Sequence, residues 1–230
     1  MYLECPAKYK FKYIDKLPEK SKHFFSFGNS VHKTLEFFYS SKETLLPTLE
    51  QVIEYYEENW ISAGYKDELQ EAKYLNDGKK IITLFYNKHS RNYSAAFSVE
   101  YLFNIEIEGV PVTGKIDLIE KLPDGKLSIS DYKTGKSLAK DRVLTDNQLT
   151  IYQIACEELL GSEVGRLSFY HLPTLTEQVT ERRSPTQVSN FKRQVVEVAE
   201  AITANKFEPT PDKMKCFWCD FKNVCPVFTK

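Results

Sequence analysis

The sequence predicts an α/β fold in which a mixed β-sheet is flanked by helices. Apolar residues recur at helical spacing through residues 24–91 and then alternate at strand spacing through residues 97–134. Helical spacing returns at residues 146–160, and a further strand follows at residues 165–172. A β-meander followed by a helical crossover to another strand predicts a sheet with both antiparallel and parallel neighbours.

Three helices are predicted ahead of the sheet, over residues 24–40, 48–63 and 67–91. The first carries an apolar stripe at helical spacing, and His32 lies on a different face of that helix. Gly78 falls inside the third helix, where glycine disfavours the helical conformation.

The meander is predicted over residues 97–107, 110–120 and 126–134. Gly109 separates the first two strands, and the turn Pro123-Asp124-Gly125 connects the second strand to the third. The third strand is therefore expected to return alongside the second.

Beyond the crossover helix, a short strand is expected at residues 176–182. Ser184-Pro185-Thr186-Gln187 then opens the last long helix with a capping serine, a proline in the first turn and a glutamine at the capping-box position. An apolar stripe predicts one buried face for this helix: Val188, Phe191, Val195, Val198 and Ile202. The sequence contains no internal repeat and no linker, so residues 1–230 are expected to form a single domain.

Asp131 and Lys133, with Asp117 upstream, are the residues that point most directly to chemistry. Residues two apart in a strand share a face, so Asp131 and Lys133 project to the same side. The hairpin brings Asp117 alongside them. Two carboxylates and an ammonium group suit a divalent cation held through oxygen, with the lysine directing a water at a phosphodiester. In isolation, the same residues also fit an ion pair on a surface strand.

Composition and charge narrow the class of protein. The chain is 42% hydrophobic, with 14 Tyr and 15 Phe, which is enough for a sizeable core. It contains no apolar run near the ~20 residues that span a bilayer and no secretory signal, so a cytoplasmic protein without a membrane partner is expected. The net charge of −1 is no signature of nucleic-acid binding. A basic segment at residues 1–22 and an acidic one at 43–71 fit either the focusing of a polyanion or solvated helix faces.

Five cysteines are distributed unevenly: Cys5, Cys156, Cys216, Cys219 and Cys225. An odd number in an expected cytoplasmic protein argues against a disulfide framework. Four thiolates, from Cys5 and the C-terminal trio, suit tetrahedral zinc. Zinc sites typically have two Cys-x₂-Cys pairs, however, and this chain has one. Cys156 matches no ligand position and is expected to be a buried thiol.

Several short motifs, taken in order, resemble the RecB-like and AddB-like branch of the PD-(D/E)XK nuclease superfamily. Each motif is weak alone, but together they span nearly the whole chain and their order is specific. They are Cys5-Pro6-x-Lys8-Tyr9, Phe27-Gly28-Asn29-Ser30-Val31-His32, Gly114-Lys115-Ile116-Asp117, Asp131-Tyr132-Lys133-Thr134-Gly135, Gln148-x-x-x-Tyr152 and the cysteine trio. The resemblance implies a restriction-endonuclease-like core. Isoleucine precedes Asp117 where the superfamily pattern has proline, a departure common in this branch.

The resemblance also implies a role for each matching residue. His32, Asp117 and Asp131 would coordinate a catalytic Mg²⁺ or Mn²⁺ ion, together with the backbone carbonyl of Tyr132. Lys133 would position the attacking water and stabilise the charge that builds on the phosphate.

Three further residues complete the implied site. Gln148 and Tyr152 would orient the substrate and the active-site helix. Glu100 stands at the position of a recurring acidic residue of this family and would act behind the metal ligands.

In the iron–sulfur members of this branch, which include AddB and CRISPR-associated exonucleases, a lone cysteine and a C-terminal trio bind a [4Fe-4S] cluster. The resemblance therefore implies such a cluster on Cys5, Cys216, Cys219 and Cys225, with structural zinc as the alternative. Residues 1–23 and 206–230 would jointly form the cluster segment.

The function implied by the resemblance is that of a metal-dependent DNA exonuclease. It would act on single-stranded or duplex ends in repair, recombination or CRISPR adaptation, beside a helicase or a CRISPR adaptation protein. The alternative is a non-catalytic iron–sulfur module that binds DNA within a larger helicase–nuclease or spacer-acquisition complex. Members of the branch usually have another helical stretch before the first cysteine. Its absence here fits either a truncated gene product or a domain of a helicase–nuclease.

Overall fold

The computed structural model describes residues 1–39 and 46–229, and these residues form two compact units. The sheet unit consists of Lys22–Glu106 and Pro111–Ser189. The terminal unit combines both ends of the chain with a short turn: Met1–Ser21, Ile107–Val110 and Asn190–Lys230.

The terminal unit begins with α1 (Pro6–Tyr9), which continues directly into a π-helical turn at Lys10–Ile14. Neither element is predicted from the sequence, because segments this short have no resolvable periodicity. Three helices of the sheet unit follow and confirm the predicted ones: α2 (His23–Tyr39), α3 (Leu49–Glu58) and α4 (Glu68–His89). Residue 40, the predicted end of the first helix, lies outside the described residues.

Two details of these helices depend on packing and capping. A capping box between Thr48 and Gln51 begins α3, and the helix ends at Glu58, before the predicted residue 63. Gly78 lies within α4 without interrupting it. The Tyr56 ring and hydroxyl occupy the space where a side chain on residue 78 would lie. The glycine therefore allows the two helices to approach closely.

The sheet contains five strands in the order β1-β2-β3-β4-β5 within the described residues. They are β1 (Ser98–Ile107), β2 (Val110–Lys121), β3 (Leu127–Lys133), β4 (Val164–His171) and β5 (Thr176–Glu181). β3 is antiparallel to β2 and parallel to β4, and β4 is antiparallel to β5. The predicted mixed sheet is confirmed.

The first hairpin turn uses two residues with positive φ, Glu108 at 50° and Gly109 at 80°. This left-handed backbone matches the twist of a tight hairpin. The second turn contains Gly125 at a φ of 85°, as the Pro-Asp-Gly motif predicts.

Helices cover the central strands. α2, α3 and α4 share a hydrophobic core with Leu118, Tyr132 and Tyr170 of the sheet. The crossover from β3 to β4 contains α5 (Arg142–Thr145) and α6 (Asn147–Leu160), and α6 packs against both strands.

The last long helix, α7 (Pro185–Thr203), begins at the predicted capping box, with Ser184 and Gln187 exchanging hydrogen bonds. Its predicted buried face is only partly confirmed, because Phe191 alone of the stripe is fully buried and the others are half-buried. A short α8 (Lys213–Phe217) and a 3₁₀ turn at Lys222–Val224 follow. None of the helices in the described part of the chain is long and apolar enough to cross a membrane.

Candidate metal-dependent active site

Asp117 and Asp131 lie side by side where β2 and β3 separate. The last register pair of the two strands is Leu118 with Ser130, and the two aspartates are the next residues along each strand. The backbone N–H of Tyr132 donates a hydrogen bond of 2.7 Å to Asp117 Oδ2, so a carboxylate and not a backbone carbonyl accepts it. Both aspartates are buried. The hairpin thus brings the two carboxylates together as predicted.

His32, Glu100 and Asp117 form a group that could hold a metal ion. One ligand atom from each residue lies within 4.8 Å of the others. His32 Nδ1 is 3.4 Å from Asp117 Oδ1 and 3.9 Å from Glu100 Oε1. An imidazole and two carboxylates are ligands that Mn²⁺ and Mg²⁺ accept, so this donor set fits the cation that the resemblance implies.

The Glu100 carboxylate is a member of this group, although the resemblance implies a position behind the metal ligands. It has a φ of 48°, in the left-handed region that residues other than glycine rarely adopt. The side chain is only 9% exposed, and its other carboxylate oxygen contacts the Lys115 ammonium. No periodic pattern in the sequence signals this backbone conformation. The signal for Glu100 in the sequence is the family resemblance, which has a recurring acidic residue at this position.

Four side chains close a ring next to this group. Lys133 Nζ lies 2.6 Å from Asp131 Oδ2 and donates a hydrogen bond of 2.8 Å to Gln148 Oε1. The amide of Gln148 donates to the Tyr152 hydroxyl over 2.7 Å, and that hydroxyl donates to Asp131 Oδ1 over 3.2 Å. Two residues of β3 and two of α6 thus hold one another. The ring engages both oxygens of Asp131, which is not a member of the ligand group above.

The charges of the site perturb its pKa values. Burial and the neighbouring Asp117 carboxylate raise the pKa of Asp131 to about 6, although Lys133 and His32 oppose this shift. Burial lowers the pKa of His32, but its hydrogen bond with Asp117 and the surrounding carboxylates outweigh burial, and the net shift is upward. Both shifts favour proton binding at the site, because closely spaced carboxylates repel each other when ionised and attract the charge of a protonated imidazole.

Phe169 forms an apolar floor beneath the lysine. It pairs with Asp131 in the β3–β4 register and is fully buried. Lys133 Nζ lies 4.6 Å from the ring centroid, and the Arg142 guanidinium lies 5.1 Å from it. No sequence signal distinguishes Phe169 from the other apolar residues of its strand.

The start of α6 is held in place by groups that the sequence also does not reveal. The Asp146 carboxylate accepts a hydrogen bond from the backbone N–H of Gln148 and caps the helix. The buried Arg183 guanidinium donates to the carbonyl oxygens of Val143 and Asp146 and to the Thr150 hydroxyl. These bonds orient the helix turn that carries Gln148 toward β3.

A second candidate centre lies in the terminal unit. Cys5, Cys216, Cys219 and Cys225 all line one small cavity of about 30 Å³. Its other lining consists of six apolar residues, Ala7, Phe11, Pro209, Pro211, Val227 and Phe228, and three polar ones, Lys8, Thr210 and Lys222. None of the five cysteines forms a disulfide. Four thiols around one cavity fit a metal or an iron–sulfur cluster.

Cys156 lies apart from this set. It is fully buried on α6 in the sheet unit, and burial raises the pKa of its thiol to about 12. The prediction of a buried thiol is confirmed.

Part of the chain is similar in sequence to known phage proteins. The chain is similar to the Gene 69 proteins of Mycobacterium phages D29 and L5, with 31% and 32% identity over 136 residues. The match covers 57% of this chain but 48% and 45% of the phage proteins, so the chain spans about half the length of these relatives.

The fold is similar to that of a candidate exonuclease from Eubacterium rectale, with a TM-score of 0.53 at 11% identity. That superposition covers 97% of this chain and 80% of the other. The sequence profile of the PD-(D/E)XK nuclease superfamily matches residues 1–226, nearly the full chain. With the paired aspartates, the lysine two residues beyond and the mixed sheet that carries them, this match shows that the chain belongs to the PD-(D/E)XK nuclease superfamily.

Proposed function

We propose that this chain is a divalent-metal-dependent deoxyribonuclease that degrades DNA from its ends and prefers single-stranded ends. The observation that carries the proposal is that two sets of residues meet on neighbouring strands. His32, Glu100 and Asp117 form a group that could bind a metal ion, and Asp117 accepts a hydrogen bond from the backbone N–H of Tyr132. The next residue, Lys133, is held by Asp131 and Gln148. Nuclease members of the superfamily use divalent metals, and this donor set fits one.

His32, Glu100 and Asp117 would hold Mg²⁺ or Mn²⁺, and the other expected ligands, Asp131 and the Tyr132 carbonyl, adjoin this group. When bound, the cation supplies Lewis-acid chemistry, since it acidifies water and offsets phosphate charge. Replacing Glu100 with glutamine tests the assignment, because the amide keeps the shape but loses the charge. Weaker Mn²⁺ binding in calorimetry supports it, and unchanged affinity removes Glu100 from the ligand set.

Among the protein's own side chains, Lys133 would stabilise the negative charge that develops on the phosphate. An ammonium group has three donors, and Asp131 and Gln148 engage two directions of the Lys133 ammonium. A donor direction is left for a phosphate oxygen, where negative charge develops during attack on phosphorus. The apolar Phe169 ring below limits competing water on that side. Gln148 and Tyr152 keep the lysine and Asp131 in register with each other.

The test uses end-labelled linear single-stranded DNA, linear duplex and circular single-stranded DNA with Mg²⁺ or Mn²⁺. The wild-type protein is expected to degrade linear single strands fastest and to spare circles. Asp131→Ala and Lys133→Ala are expected to abolish this activity. Lys126→Ala is the matched control, because its ammonium pairs with Glu163 on the surface. Equal rates for the wild-type protein and both site variants would reject the nuclease assignment.

We further propose that Cys5, Cys216, Cys219 and Cys225 hold a [4Fe-4S] cluster with a structural role. The support is the convergence of all four thiols on one cavity, although Cys5 lies more than 200 positions from the other three. Anaerobic purification followed by absorbance spectroscopy and iron, sulfide and zinc analysis tests the proposal. A protein that contains zinc and no iron would reject the cluster and support the alternative of a structural zinc site.

A further inference from the structure

Two exposed aromatic rings stand at the beginning of α2, the helix that carries His32. Phe24 is 44% exposed and Phe25 is 63% exposed, and their ring centroids lie 4.6 Å apart. Neither belongs to the hydrophobic core that α2 shares with α3 and α4. Such solvent exposure of two adjacent rings is costly unless a ligand covers them.

The helix aligns these rings with the candidate metal ligands. Phe25 and His32 are seven residues apart, so they lie on nearly the same face, with a rise of about 10.5 Å between them. Asn29 is also exposed on this face. Between the two, Gly28 lies so close to the residue after Lys133 that a Cβ on residue 28 would be 3.1 Å from Thr134 Oγ1. The face that carries Phe25 is therefore continuous with the candidate active site.

A cationic loop begins at the same point. It connects Thr134 to α5 and carries Lys136 and Lys140, both exposed. The loop is anchored on the sheet, since His171 Nε2 lies 2.7 Å from the Gly135 carbonyl oxygen and Gln178 donates to the Ala139 carbonyl over 2.9 Å. Two lysines are thus held on a supported loop next to the catalytic lysine.

We propose that an unpaired DNA strand stacks its bases on Phe24 and Phe25 while Lys136 and Lys140 neutralise its phosphates. Single-stranded nucleic acid is bound by this combination of aromatic faces and a cationic track, because every base has a π-face and every nucleotide a negative charge. A base-paired end offers no free base faces except its last pair. The site rests on the proposed nuclease function and explains how that function would select single strands.

The experiment measures equilibrium binding by fluorescence anisotropy, with EDTA present so that no strand is cleaved. The probes are labelled poly-dT and an abasic strand of equal length, which keeps the phosphates but lacks the bases. The double variant Phe24→Leu/Phe25→Leu keeps apolar side chains and removes both rings. We expect it to bind poly-dT about tenfold more weakly or worse and to bind the abasic strand as the wild-type protein does.

Two controls keep the interpretation specific. Phe24→Tyr/Phe25→Tyr retains both ring faces and is expected to keep wild-type affinity for poly-dT. Leu69→Ala removes an apolar side chain that is 82% exposed on α4, and it is expected to change neither affinity. Hydrolysis measured with Mg²⁺ should show a higher KM on single strands for the leucine double variant, with kcat preserved.

Other results would overturn the inference. Equal weakening on both probes, or unchanged poly-dT affinity, would show that the rings do not stack on bases. A change of oligomeric state in light scattering with unchanged DNA binding would identify the rings as a protein-binding surface. If the wild-type protein cleaved no DNA but the leucine double variant still lost poly-dT affinity, the stacking site would stand and the nuclease function would fall.

Discussion

The carboxylate centre of the sheet unit and the cysteine cavity of the terminal unit differ in what holds their side chains in place. In the sheet unit, Asp117 and Asp131 are buried residues of neighbouring strands. The backbone N–H of Tyr132 holds Asp117, and the ring of Lys133, Gln148 and Tyr152 holds Asp131 without a cation. In the described part of the terminal unit, four apolar residues are buried: Ala7, Ile107, Phe191 and Phe221. With such a small core, the metal or cluster proposed for the four thiols would be a main source of stability.

The carboxylate centre is therefore preorganised, whereas the cysteine cavity is expected to depend on the metal or cluster proposed for it. Removal of a side chain from the carboxylate centre should reduce catalysis but leave the protein folded, because the sheet supports the site. Removal of a thiol from the cavity should unfold the terminal unit. The following experiments test this division.

The largest effect is expected for Cys225→Ser. Structural metal sites contribute on the order of 10 kcal/mol to folding, so the variant should lose its metal and the order of the terminal unit. Limited proteolysis should then cleave residues 1–21 and 206–229 while the sheet unit persists. Cys156→Ala, in the sheet unit, is the control and should retain the metal. A Cys225→Ser protein as resistant to protease as the wild-type protein would contradict ligand-dependent folding.

A smaller effect is expected for Gly114→Ala within the preorganised centre. A methyl group on residue 114 would overlap the buried Phe103 ring, which packs edge-on against Tyr152 at a centroid distance of 6.1 Å. We expect the free energy of unfolding to fall by about 1–3 kcal/mol, as in other overpacked cores, together with a loss of activity. The added change Phe103→Leu should restore part of both in denaturation and nuclease assays. Failure of this rescue would show that the overlap is not the cause.

Tyr152→Phe removes only the hydroxyl that joins Asp131 to Gln148. The hydroxyl makes two hydrogen bonds, each worth about 1 kcal/mol, so kcat should fall roughly thirtyfold at most, with normal metal content in the terminal unit. The matched change Tyr86→Phe also removes a hydroxyl bonded to protein, in this case to the Pro47 carbonyl, and should leave kcat unchanged. Equal kcat values for Tyr152→Phe and the wild-type protein would remove the ring from the mechanism.

The smallest effect is expected in how the stabilisation of the protein by Mn²⁺ depends on pH. The pKa of Asp131 is raised from 3.8 to about 6, so in the metal-free protein its contribution to stability falls as the pH rises between these values. The raised pKa of His32 acts in the same direction near neutral pH. Since a cation displaces these protons, the increase in Tm caused by Mn²⁺ should grow between about pH 5 and about pH 8. An increase that is independent of pH, or one that persists in His32→Gln, would contradict this assignment.

Local patterns predicted most elements of the sheet unit for identifiable reasons. The alternation in β1 and β2 reflects a sheet with one buried face, and Gly109 and Gly125 supply the left-handed backbone of the turns. Ser184 and Gln187 form a capping box that depends only on residues three apart. The short α5 was not predicted, because it has no periodic apolar stripe. A tertiary hydrogen bond from Arg183 to the Val143 carbonyl holds it instead.

The sequence by itself determined the chemistry available to this protein. Strand periodicity placed Asp131 and Lys133 on one face, the Pro-Asp-Gly turn brought Asp117 beside them, and residue type limited the ligands to oxygen and nitrogen at one centre and sulfur at the other. Only the tertiary structure decided which groups meet. The left-handed backbone at Glu100 turns its carboxylate toward His32, and α6 delivers Tyr152 to Asp131. These contacts join residues far apart in sequence, and they depend on packing that no local periodicity encodes.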